Sequence, residues 1–150
     1  MLALVARDER IGAMAGEPAS ADSDAITRAA MKASLTPEQA VIRLRTSRRY
    51  LDRVTRAGFL HAVALAPNEM RYPMWQFSAG EGKPVVDGVS LIVSSIPSDW
   101  TLPRIHRFFT TPTWHLKSNR RSQTPTRWLS QGRDPLHVAI LLEGYQYDIS

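Results

Sequence analysis

The chain has 150 residues, no cysteine and a formal net charge of +5, a length that fits one domain or two small units sharing a core. A hydrophobic fraction of 43% excludes wholesale disorder. The lack of cysteine excludes disulfides, thiolate metal sites and cysteine nucleophiles, and it accords with a reducing compartment.

The charge is unevenly placed. Residues 1–35 sum to −1, residues 36–77 to +4 and residues 78–150 to +2. All seven cations of the middle segment are arginines, the side chain best suited to phosphate and to guanine edges.

The apolar start Met1–Ala6 meets Arg7, Asp8, Glu9 and Arg10 before reaching the length of a secretion signal. No run approaches the ~20 apolar residues that cross a bilayer, so the expected location is the cytoplasm. Residues 1–34, rich in Ala, Ser, Asp and Gly, read as a flexible arm with a weakly helical stretch from Asp24 to Lys32.

Order is expected from Leu35. Thr36 is a good N-cap, Pro37 takes the first helical position and Gln39 the reciprocal capping-box position. Ala40, Val41 and Leu44 then recur at helical spacing. Arg45-Thr46-Ser47 offers a turn and a fresh N-cap, and a second helix runs from Arg48 to Ala57, stopped by Gly58 in a left-handed conformation. Leu51, Val54 and Tyr50 are expected to point inward. Arg49, Arg53 and Arg56 share the outward face at i, i+4 and i+7. After Phe59-Leu60 the chain alternates through His61–Leu65, turns at Pro67-Asn68-Glu69 and returns through Met70-Arg71-Tyr72 as a hairpin. The aromatic string Tyr72-Pro73-Met74-Trp75-Gln76-Phe77 is expected to cover the apolar side of the two helices.

Residues 78–86 form a linker. Gly80-x-Gly82-Lys83 lacks the rest of a phosphate-binding loop, and Pro84 stands where its helix would begin. Beyond it, Asp87 is expected to cap a helix through Ile96, Thr101-Leu102-Pro103 opens another through Phe109, and Thr111 to Gln123 reads as an exposed loop. Thr124-Pro125 and Asp134-Pro135 repeat the cap-plus-proline device. The last helix, Leu136 to Leu142 with Gly144 as terminator, is apolar on nearly every side, so it is either buried or meets another protein.

Two short helices joined by a tight turn, the second carrying arginines, match the helix-turn-helix plan. The expected fold is mainly α with a small β-hairpin: an arm over 1–34, a winged helix-turn-helix-like unit over 35–77, a linker over 78–86 and a small helical dimerisation or partner-binding domain over 87–150. His61, His106, His115 and His137 show no metal-ligand spacing, and no nucleophile–base pattern or carboxylate pair stands out. No enzyme, cofactor or metal is therefore expected.

The chain from about Leu35 to Tyr145 resembles a bacterial family of short DNA-binding proteins related to the Xre/ParS-type antitoxins. The resemblance rests on Ser47-Arg-Arg-Tyr-Leu with Ala57-Gly58-Phe59-Leu60, on Arg71 to Phe77, and on Thr124-Pro125-Thr126-Arg127-Trp128-Leu129-Ser130-Gln131-Gly132 followed by a final helix. Lys117 to Ser122 depart from it, where a shorter apolar turn is typical. The resemblance implies a DNA reader joined to a helical module that dimerises and, in antitoxins, grips a toxin.

The expectation is a homodimeric, sequence-specific transcriptional regulator acting as a repressor on double-stranded DNA. The alternative is an antitoxin that neutralises a cognate toxin and autoregulates its operon. Arg48, Arg49 and Tyr50 are the candidate base readers, and Ser47, Arg53, Arg56 and Arg71 the candidate phosphate or wing contacts. Trp128, Leu136, Ile140 and Leu141 are the candidate partner contacts.

Overall fold

A computed structural model describes residues 16–78 and 83–148. Seven α-helices and two small antiparallel sheets make it mixed α/β with helix predominating. The expected mainly helical content is met, with more sheet than the single hairpin anticipated.

Helix α1 spans Gly16–Lys32 and packs against α5 (Leu102–Thr110). The expected arm is therefore helical from residue 16 onward, and its residues 1–15 lie outside the described region. The weakly helical signal at Asp24–Lys32 understates this because the docking surface belongs to a distant part of the chain; Ala30, small enough to sit at a close interface, is buried. Strand β1 (Ser34–Leu35) follows at once.

Helix α2 (Pro37–Leu44) begins as its residues dictate. The Thr36 side chain accepts from the Gln39 amide at 3.1 Å while the Gln39 side chain accepts from the Thr36 amide at 2.9 Å, a complete capping box. It ends at Arg45 in the left-handed region. Two residues later the Ser47 hydroxyl accepts from the Tyr50 amide and starts α3 (Arg48–Arg56). Gly58, at φ +87°, closes α3: its amide bonds Thr55 and the next amide bonds Val54, the Schellman arrangement. Leu51 and Val54 do turn inward, whereas Tyr50 is half exposed, because its position on α3 lies beside the outward arginine face.

Strands β2 (Val63–Ala66) and β3 (Glu69–Pro73) form the expected hairpin. β1 pairs with the other edge of β3, Ser34 against Pro73 and Leu35 against Tyr72, giving the order β1-β3-β2. A 3-10 turn at Met74–Gln76 then divides the aromatic string between two cores. Tyr72 and Phe77 join Ala40, Leu51 and Leu60. Trp75 faces the opposite way and stacks on Phe109, centroids 4.3 Å apart and planes 2° from parallel. The string therefore spans both cores where the sequence suggests a cover for one.

Gln76 fixes that division. Its buried amide accepts from the His61 amide at 2.8 Å and donates to the carbonyls of His61 and Pro73 at 2.8 and 3.1 Å. A buried amide with these three partners avoids the cost of unmade polar bonds.

Residues 79–82 of the expected linker, and with them most of the glycine-lysine string, lie outside the described region. The chain on either side is pinned together: the Ser78 amide donates to Pro84, the Val86 amide to Gln76, and Phe77 bridges Val85. Helix α4 (Val89–Ser95) is capped by Gly88 in the left-handed region rather than by Asp87, whose carboxylate takes Lys83 instead. After α5, the expected loop is a second hairpin, β4 (Thr113–Ser118) and β5 (Arg121–Gln123). Its turn residues Asn119 and Arg120 are both left-handed, at φ 54° and 65°, as a two-residue hairpin turn requires.

Helix α6 (Pro125–Ser130) starts at the Thr124 cap, and α7 (Pro135–Asp148) at Asp134, whose carboxylate accepts from the Leu136 amide. α7 runs through Gly144, the expected terminator. Tyr145 packs edge-on against Trp100 and Phe108, so tertiary contact continues the helix past the glycine. The second core gathers Ile92, Ile96, Ile105, Phe109, Leu116, Leu129, Val138 and Leu142 around Trp75; full burial of each large side chain stabilises the fold by about 1.5–3 kcal/mol.

Candidate nucleic-acid interface

The outward face of α3 is built from below. Leu51 is wholly buried against Ala40 and Leu60, so the helix can present only one side to solvent. On that side Arg48, Arg49, Asp52, Arg53 and Arg56 line a shallow recess.

Their guanidinium groups are not equivalent. Arg48 donates from Nε to Asp52 at 3.2 Å and from a terminal nitrogen to Glu38 at 3.4 Å, so two carboxylates offset its charge. Arg49, Arg53 and Arg56 are exposed and form no ion pair among the described residues. Three cations without an ion pair among the described residues, on one nine-residue helix, bias this face toward positive charge. Such groups are solvated and mobile in the free protein, so their binding value appears only against a dense anionic partner. Tyr50 stands beside them, half exposed. The Ser47 hydroxyl accepts the cap bond through its oxygen and keeps a proton to donate.

The hairpin contributes less than its sequence suggests. Arg71 is half buried at the base of β3, its guanidinium reaching Ser34 on β1 at 3.5 Å, and it does not line the α3 recess. The exposed tip carries Pro67, Asn68 and Glu69, with no cation.

Of the partner contacts, Trp128 is a core residue; its indole N–H donates to the Asp134 carbonyl at 2.8 Å. Leu141 is half buried against the same core. Leu136 and Ile140 are exposed to solvent on α7.

A second basic surface was missed. From Thr101 to Arg133 the chain holds seven cations and no carboxylate. Lys117, Arg120 and Arg121 ride the turn end of the β4–β5 hairpin, and Trp114, at the other end of β4, is 68% exposed with its ring centroid 3.9 Å from that of His115. The acid-free run was the available signal, hidden when charge was summed over residues 78–150, because acidic residues flank it on both sides.

Among the described residues no cluster of three or more His, Asp or Glu side chains could hold a metal ion, and no helix is long and apolar enough to cross a membrane. Comparisons with protein families, with curated proteins and with solved structures find no match.

Proposed function

We propose that the protein is a sequence-specific DNA-binding regulator that reads the major groove with α3 and represses transcription as a homodimer. The observation that carries this reading is the row of three arginines, Arg49, Arg53 and Arg56, without an ion pair among the described residues, on the exposed face of a short capped helix. The surrounding order of elements supports it. A helix, a short strand, two helices joined by a tight turn and a hairpin, with the first strand on the hairpin's inner edge, follow the plan of a winged helix-turn-helix.

In this reading Arg49 and Tyr50, at the helix N-terminus, reach base edges. Arg53, Arg56 and Ser47 hold phosphates, and Arg48 joins them by exchanging Asp52 and Glu38 for DNA. Arg71 braces β3 against β1.

Selection from a random DNA pool supplies the binding sequence, and titration at fixed salt then compares variants. Arg49→Ala is expected to cost about 1–3 kcal/mol on the selected sequence and far less on unrelated DNA. Equal loss on both sequences, or none, removes Arg49 from base reading; a pool with no enriched sequence removes the function.

A second reading, toxin neutralisation, is favoured by the exposure of Leu136 and Ile140 one turn apart on α7. Co-purification with the product of an adjacent gene, abolished by Ile140→Asp, is its test; a complex indifferent to that change argues against it.

A further inference from the structure

A groove of about 930 Å3 opens between α1, α5, β4 and α7, away from the recess on α3. Its size falls in the range of small-molecule sites, roughly 300–1,000 Å3. The walls mix apolar and aromatic side chains, Ile26 from α1, Phe108 from α5 and Ile140 from α7, with Trp100 and Tyr145 at one end, and polar ones such as Thr27 and His115.

Two guanidinium groups, Arg104 and Arg107, stand one turn apart on α5 in this lining, and among the described residues no carboxylate shares it. Neither arginine forms an ion pair among the described residues. The Arg104 guanidinium carbon sits 4.9 Å from the Trp100 ring centroid and 5.9 Å from that of Tyr145, within cation–π reach of both. Contact with ring faces uses the charge of a guanidinium but none of its N–H donors as hydrogen bonds, so these remain for a two-oxygen acceptor.

We propose that this groove binds a small amphipathic carboxylate, an organic acid with an aromatic or branched apolar body. Its carboxylate takes the edge of Arg104 and the charge of Arg107, while its body lies on Phe108, Ile140 and Ile26. The mixed lining selects against simpler ligands. Inorganic phosphate has nothing to set against the apolar walls, a neutral hydrophobe leaves both guanidiniums without an acceptor, and a cation is repelled by them.

The proposal is independent of DNA binding, and its test contains no DNA. Isothermal titration of the full chain uses 2-naphthoate as probe, with 2-naphthylmethylammonium as the cation of similar body and inorganic phosphate as the anion without one. Saturable one-to-one binding of naphthoate is expected, at least about tenfold tighter than either control. The double variant Arg104→Gln/Arg107→Gln should weaken naphthoate about tenfold or more with an unchanged circular dichroism spectrum. Because Arg104 also packs on two rings, the single variant Arg107→Gln is measured alongside, and it should weaken naphthoate without altering the melting temperature. Failure of naphthoate to bind, equal binding of the ammonium or the phosphate, or wild-type affinity in both variants would overturn the assignment.

Discussion

His61 lies two residues before β2 with its backbone clasped on both sides by Gln76. Burial pushes its imidazole down from the usual value near 6.5 to about 4, and its Nε2 atom has no hydrogen-bond partner. Between those two pH values the unfolded chain holds a proton that the folded chain refuses. Stability is therefore fully present above about pH 6.5 and is lost as pH falls toward about 4. The loss is at most about 3.5 kcal/mol, from about 1.4 kcal/mol per pH unit. Urea denaturation at a series of pH values should show this slope, and His61→Phe should flatten it relative to the parent. Parallel slopes for the two proteins would show that His61 stays protonated in the fold. The Tyr72 hydroxyl is raised by the same cause, burial, partly countered by its 2.8 Å hydrogen bond with Thr55.

At the scale of elements, two glycines with similar backbones make different demands. Gly58 ends α3 at φ +87° with open space where a β-carbon would point, so Gly58→Ala is expected to cost only the conformational strain, about 1 kcal/mol. Gly88, at φ +78°, starts α4 against Pro135, and a β-carbon there would lie 2.3 Å from the proline ring. Overlap adds to strain, and Gly88→Ala should cost about 2–4 kcal/mol. Denaturant midpoints at constant m-value measure both, and equal losses would show that Pro135 gives way freely. The elements legible in the sequence are those whose signals are local. Thr36, Ser47, Thr101 and Thr124 all cap the helices they were expected to start, because a cap needs only the residues that follow it. The β4–β5 hairpin was illegible: among its flanks only Leu116 supplies a large buried apolar side chain, and its turn is Asn119-Arg120, without glycine. The arginine row on α3 followed from helical spacing alone, whereas the pairing of Arg48 with Glu38 and the retreat of Arg71 depend on how separate elements meet.

For the whole molecule, Trp75 is the joint between the two cores, stacked on Phe109 while its neighbours Tyr72 and Phe77 belong to the other cluster. Shared packing of this kind couples the two halves, so heating should produce one cooperative transition, with near- and far-ultraviolet circular dichroism coincident. Trp75→Ala should destabilise by about 3–5 kcal/mol and separate the two signals. Two distinct transitions in the parent protein would show that the cores fold independently. The contact between Gly88 and Pro135 works across a similar span of chain, joining the start of α4 to the start of α7. A ring at 135 forbids a side chain at 88, whereas glycine at 88 places no such limit on position 135. Recombination between a lineage that keeps glycine and proline and one that has replaced both would therefore be asymmetric: the offspring pairing the replaced position 88 with Pro135 carries the overlap, and the reciprocal one, with Gly88 and no proline, does not.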